Sequence, residues 1–211
     1  MGKEIEKRFY TFDRKILEEK IKEIGGIKKG IYNFQSLGFI PPEGYYVLRL
    51  RDEEHRITFT LKKRGDQYAL EDEVVVNNFN EMKTILEKIG HKKKYFKQKI
   101  REIYNIGESE LVFDHYPGLP GFIELESPTE EELFNIADKL NLIRNEPGKG
   151  VDDLYLECYG IPKDRPIEDL EFNNIYDLFK KYIKKNEDMF IKILEGQKRL
   201  LDKINHIQST S

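Results

Sequence analysis

The sequence predicts an α+β fold: an antiparallel β-sheet closed into a barrel, charged within, with helices packed outside. Three observations lead there. Charged residues recur at alternate positions in strand-like stretches, as in Glu4, Glu6 and Arg8, and again in Arg49 and Arg51, Lys99 and Arg101, Glu124 and Glu126. Alternate residues of a strand share a face, so each set points one way and the apolar residues between them point the other. Three segments carry apolar stripes at helical spacing, which must be buried against something. The apolar face of the sheet is the partner available, and placing helices there leaves the charges inside any closed sheet.

The elements follow in chain order. The first strand is Glu4 to Arg8. A helix runs from Asp13, a good N-cap, to Ile24, stopped by Gly25 and Gly26. A strand with a Pro41–Gly44 turn fills 27–46, and strands follow at 46–52 and 56–63. The turn Arg64 to Gln67 leads into a strand at 68–76 carrying Glu71 and Glu73. A second helix spans Asn78 to Ile89, and a hairpin about Gly107 joins 94–105 to 110–116. After a Pro-Gly loop at 117–121 comes the strand 122–126. Ser127 as N-cap, Pro128 and Glu130 then announce the third helix. A short helix at 152–159 precedes a helical stretch from 173 to 207, with a break expected at 186–188 and fraying from 208. Two units are expected: a tunnel-bearing domain at 1–165 and a helical extension at 166–211. A Glu-x-Glu strand precedes a helix three times, which suggests two related halves.

Composition narrows the function classes. Charged residues make up 36% of the chain but the net charge is only −3, so neither sign favours bulk attraction to nucleic acid or to a membrane. The basic, aromatic run Lys92 to Lys97 reads as a solvated strand entry. No stretch approaches the roughly 18 apolar residues of a membrane span, and no signal peptide is visible. Glu6 stands where a myristoylation motif needs Ser or Thr. The single cysteine, Cys158, forms no internal disulfide and reads as a packing residue; a cytoplasmic protein is expected. The four histidines have no zinc-ligand spacing, and there is neither a Walker loop nor a GxGxxG. Phosphates, if bound, must be gripped by side chains.

A lumen holding so many charges cannot be dry. Each buried, unpaired ion costs several kcal/mol, and about a dozen would exceed the ~5–15 kcal/mol net stability of a domain. The interior must hold water and ion pairs, or a ligand matched to both signs. Anionic oxygens for Arg and Lys, with a hard cation for Glu and Asp, describe a polyphosphate carrying Mg²⁺ or Mn²⁺.

The ordered set Glu4-x-Glu6-x-Arg8, Leu48-Arg49-Leu50-Arg51, Thr60-Leu61-Lys62, Glu71-x-Glu73, Lys99-x-Arg101, Phe113-Asp114 and Phe122-Ile123-Glu124-Leu125-Glu126 resembles the CYTH superfamily of triphosphate tunnel metalloenzymes over residues 1–160. The resemblance implies an eight-stranded antiparallel tunnel. It implies divalent metal, Mg²⁺ or Mn²⁺, at Glu4, Glu6 and Glu126, with Asp114 and Glu124 holding a second metal or the attacking water. Arg8, Arg49, Arg51, Lys62, Lys99 and Arg101 would grip phosphates, supported by Glu71 and Glu73. Lys62, Asp114 and Glu124 are the catalytic candidates, Lys62 as proton acceptor. Arg8 replaces the motif's Lys, Ala69 stands where many members are basic, and 31–46 lacks the Asp-Thr-Tyr-type strand of the thiamine triphosphatase and cyclase branches. The expected activity is hydrolysis of inorganic or nucleoside triphosphate. The alternatives are a class IV adenylyl cyclase making cyclic AMP and pyrophosphate, and a non-catalytic polyphosphate binder. The expected partner is a small triphosphate, with no membrane or nucleic acid, and the chain is a monomer or homodimer.

Overall fold

The computed structural model describes residues 2–3, 5–64, 69–163 and 168–209. The elements are β1 (Gly2–Lys3), β2 (Glu6–Phe9), α1 (Arg14–Glu23), β3 (Ile27–Phe39), β4 (Tyr45–Asp52), β5 (Ile57–Arg64), β6 (Ala69–Val76), α2 (Phe79–Lys88), β7 (Lys93–Ile106), β8 (Ser109–His115), β9 (Phe122–Glu126), α3 (Glu130–Lys139), α4 (Val151–Tyr159), β10 (Asp169–Leu170), α5 (Ile175–Phe179) and α6 (Glu187–Ser209). Nine strands pair antiparallel in the order β1-β6-β5-β4-β3-β7-β8-β9-β2, and β10 adds to β7 in parallel.

The expected closed eight-stranded barrel does not form. Among the described residues the sheet ends at β1 on one side and β2 on the other, with no ladder between them. The reason lies in the first strand. A strand that closes a barrel must bond neighbours on both its edges along a shared length. Here the N-terminal segment is divided: β1 bonds only β6, through Gly2 with Glu71 and Lys3 with Leu70, and β2 bonds only β9, from Glu6 with Glu126 to Phe9 with Ile123.

The division of faces follows the alternation. Leu17 and Ile21 of α1 and Leu133, Ile136 and Ala137 of α3 bury against Phe9, Leu111, Phe113, Ile123 and Leu125. On the other half, Leu86 of α2 packs on Leu37, Phe39, Leu48 and Leu50. A third cluster joins α4, α5 and the start of α6 to Leu119 and Phe122, with Cys158 packed against it. The opposite sheet face carries the charges. Its apolar contribution is small: Phe34, Ile103 and Val112, with Tyr32 beside them.

Local signals fixed most boundaries. The Asp13 side chain accepts from the Lys15 and Ile16 N–H groups, and Asn78 accepts from Glu81. Gly25, Gly90 and Gly160 follow their helices with φ of 82°, 99° and 68°. The third helix begins later than expected: Thr129, not Ser127, accepts from the Glu132 N–H, while the Ser127 N–H donates to the Ile5 carbonyl at 3.1 Å. Ser127 therefore prolongs the β2–β9 pairing instead of capping. The stretch 173–207 divides into α5, a 3-10 turn at 183–185 and α6, and Asn186 at the break donates to the Cys158 carbonyl. Residues 65–67 of the expected turn, position 68 of the next strand and the last two residues lie outside the described residues. No described helix is long and apolar enough to cross a membrane.

Candidate active site

The charged face of the sheet encloses a cavity of about 910 Å³. Among the described residues it is lined by seven Arg and Lys and eight Asp and Glu side chains, so neither sign alone explains it. Strand parity places them. β2 contributes Glu6 and Arg8, β4 Arg49 and Arg51, β5 Lys62, β6 Glu71 and Glu73, β7 Lys99 and Arg101, and β9 Glu124 and Glu126. Every sequence-predicted lumen residue is thus brought to one cavity except two. Glu4 lies outside the described residues. Asp114 sits beneath the wall, 1% exposed, with both oxygens taken.

Part of the lumen is neutralised from within. Asp114 accepts from Lys99 Nζ at 2.7 Å and from Arg101 Nε and Nη2 at 2.7 and 2.6 Å. Arg101 Nη2 also reaches Glu124 at 3.0 Å, and Arg8 Nε reaches Glu124 at 2.8 Å. Lys62 pairs with Glu71 at 2.7 Å, and the Thr60 hydroxyl donates to Glu73 at 2.8 Å. Burial opposes the Asp114 charge, but Arg101 and Lys99 outweigh it and hold the carboxyl well below its usual range. Lys99 shares that carboxylate with Arg101, so its gain is smaller than its loss. Burial, then repulsion from Arg101, lowers its ammonium to about 7 despite Asp114.

Two sets of groups are less fully matched. Glu6 lies directly across from Glu126, and Glu126 directly across from Glu110, so three carboxylates form one row on β2, β9 and β8. Among the described residues none of the three makes an ion pair. Like charges opposite one another in a sheet are destabilising. Burial raises all three carboxyls, with repulsion from Glu124 adding at Glu6 and from Glu110 and Glu124 at Glu126. The second group is cationic. Arg49 Nε and Arg51 Nε are buried without a hydrogen-bond partner, and burial and Arg51 lower Arg49 to about 10. A side recess of about 70 Å³ is lined by Arg49, Arg51, Lys97 and Lys99 and, among the described residues, by no carboxylate.

Glu110, Glu53, Arg56 and Tyr116 line the cavity and escaped the sequence reading. Glu53 is 2% exposed and accepts from Arg51 at 3.2 Å and from Arg56 at 2.5 Å. Strand parity with Asp114 was a signal for Glu110. Glu53 and Arg56 sit at the β4–β5 turn, where alternation gives no guide.

A model of the CYTH domain matches residues 3–159. The chain belongs to the CYTH family. A Methanocaldococcus jannaschii protein bearing the name "Putative adenylate cyclase" is 29% identical over 177 residues, which is 75% of this chain and 99% of that protein. Among solved structures, a Pyrococcus horikoshii OT3 protein superposes with a TM-score of 0.61 at 21% identity, over 72% of this chain and 98% of its own. A Hippeastrum protein described as a "putative adenylyl cyclase" that reveals a dominant triphosphatase activity gives 0.51 at 16% identity, over 77% and 99%. These likenesses show the CYTH fold.

Among the described residues no three acidic, histidine or cysteine groups converge closely enough to hold a metal ion. The donor chemistry of the carboxylate row still fits a hard divalent cation. It offers oxygen ligands only, its members make no ion pair among the described residues, and they repel one another across the strands.

Proposed function

We propose that this CYTH protein hydrolyses a triphosphate, inorganic or nucleoside, with Mg²⁺ or Mn²⁺. The observation that carries the reading is one cavity holding both a row of carboxylates that make no ion pair among the described residues, Glu6, Glu110 and Glu126, and two buried guanidinium Nε groups without a hydrogen-bond partner, on Arg49 and Arg51. A ligand that satisfies both carries its own cation and several anionic oxygens. By family resemblance Glu4, Glu6 and Glu126 would hold the metal, since the described carboxylates do not by themselves converge into a three-ligand set. The bound ion supplies charge neutralisation at the phosphate oxygens.

The remaining roles belong to the chain. Arg49 and Arg51, with Lys99 and Arg101, bind the phosphates and receive negative charge as the terminal bond breaks. Asp114 and Glu124 hold Lys99, Arg101 and Arg8 in place, so those donors need little reorganisation. Glu124, gripped by Arg8 and Arg101 on the cavity wall, orients water toward the terminal phosphorus. Lys62, paired with Glu71 on the wall, adds a further cation to the phosphate-binding set.

A second reading is favoured by the cyclase name of the Methanocaldococcus jannaschii relative. In that reaction the 3′-hydroxyl of ATP attacks the α-phosphorus and pyrophosphate leaves. Incubation with tripolyphosphate, ATP and thiamine triphosphate, with Mg²⁺ or Mn²⁺, separates the two. Orthophosphate release is expected. Cyclic AMP with pyrophosphate from ATP would replace the hydrolase reading by the cyclase, and no product from any substrate would leave a binder.

A further inference from the structure

On the far side of the sheet, between α6 and the outer face of β7 and β8, lies a second cavity of about 690 Å³. We propose that it binds a small organic anion: an acidic head group on an apolar body. Its size falls within the range of small-molecule pockets. Its floor is apolar, formed by Phe12, Ile31, Phe113, Leu119, Ile193 and Leu200. Its rim is cationic: Arg14, Lys28, Lys192, Arg199 and Lys203 stand against two carboxylates, Glu18 and Glu102.

Those carboxylates are already committed. Glu102, 3% exposed, accepts from Lys28 Nζ at 2.6 Å, lies 3.0 Å from Arg14 Nη2 and 3.2 Å from His115 Nε2. Glu18 accepts from Arg14 at 2.6 Å. The Arg14 guanidinium carbon also lies over the Phe113 ring, 3.6 Å from its centroid, so one side of the rim is pre-set. The three cations from α6 have no such partner: among the described residues Lys192, Arg199 and Lys203 make no ion pair. They are exposed at one edge of an otherwise greasy recess.

The helix also leaves this space open at a cost. Gly196 lies inside α6 and lines the cavity, and a Cβ there would meet only Arg199, at 3.8 Å. Nothing in the packing demands glycine, although glycine weakens a helix interior by about 1 kcal/mol relative to alanine. The absent side chain is cavity volume.

This site is separate from the triphosphate lumen. Glu102 and His115 point outward from β7 and β8, whereas Arg101 and Asp114, paired between them, face the other way. The proposal therefore stands whether or not the lumen hydrolyses triphosphate.

The test uses the full chain and 8-anilinonaphthalene-1-sulfonate, an aromatic sulfonate, followed by fluorescence titration and calorimetry. Saturable binding at one site is expected, and saturating tripolyphosphate should not displace the probe. The pair Arg199→Glu and Lys203→Glu, both exposed, should weaken binding about tenfold or more. Gly196→Leu keeps every charge and favours the helix, yet should abolish binding by filling the recess. Lys198→Glu lines a neighbouring apolar groove with Phe172 and Leu194 and should leave the affinity unchanged. Absence of binding, displacement by tripolyphosphate, insensitivity to Gly196→Leu, or equal loss in Lys198→Glu would overturn the proposal. Unfolding curves of each variant without probe separate loss of the site from loss of the fold.

Discussion

Replacing Asp114 by Asn tests whether the lumen wall is held by its internal ion pairs. The carboxylate is 1% exposed and bonds Lys99 and Arg101 within 2.7 Å. Removing one partner of a buried pair typically costs about 3–5 kcal/mol, because the other charge is stranded. Arg101 keeps Glu124 at 3.0 Å, which places the loss toward the lower end of that range. Lys99 adds a pH dependence whose sign can be stated. Its folded value of about 7 lies below the ordinary lysine value, so between about pH 7 and 10.5 the unfolded chain binds more protons and stability rises with pH. Below pH 7 the intact protein carries the proton in both states and that slope vanishes. Without Asp114 the folded value falls further, so the slope persists to lower pH. The gap between the two proteins then widens by about 1.4 kcal/mol per pH unit below 7, until the variant's own value is reached. Urea unfolding at pH 6 and 8.5 measures this without the ionic screening of guanidinium, and an unchanged m-value would show the same surface exposed. A loss under about 1 kcal/mol at both pH values would refute the claim that Asp114 anchors the wall.

Three other outcomes are expected. Tripolyphosphate binding at pH 8 should take up protons, because an added anion raises Lys99 above its starting value of about 7; calorimetry in buffers of different ionisation enthalpy reads this, and Lys99→Arg should remove it. Glu6→Gln should abolish metal-dependent turnover yet leave the fold as stable as before or more so by up to about 1 kcal/mol, since it relieves the Glu6–Glu126–Glu110 row. Burial raises the Glu6 carboxyl in the folded chain, so that gain should fade as pH falls below its folded value; thermal unfolding at pH 7 and 4 checks the sign. Gln197→Ala should cost about 2–3 kcal/mol in urea unfolding, because its buried amide bonds the Gly118 N–H and the Tyr116 and Leu119 carbonyls that seat α6.

The lumen was legible because strand periodicity is two and a charge at alternate positions declares its face at once. Glu71 with Glu73 and Lys99 with Arg101 needed no partner to be read. The helix starts at Asp13 and Asn78 were legible for a similar reason: the cap bonds within three residues. What the sequence hid is long-range. Whether the first strand bonds two neighbours along one length or divides between them depends on residues far apart in the chain, and the closed barrel was expected where an open sheet stands. Ser127 lost its cap to a sheet bond with Ile5 for the same reason. Glu102 gave no sign at all, since its partners come from positions 14, 28 and 115.

The division of the N-terminal segment has a bearing on solution behaviour. Sheet rims with free peptide groups invite other chains to dock strand to strand. Here the two-residue β1 covers only Leu70 and Glu71 of β6, so among the described residues 73–76 have no strand beyond them, and Val74 and Val75 there are exposed. That short apolar border is where a foreign strand would add, and a charge placed at Val75 should lower any tendency of concentrated protein to associate.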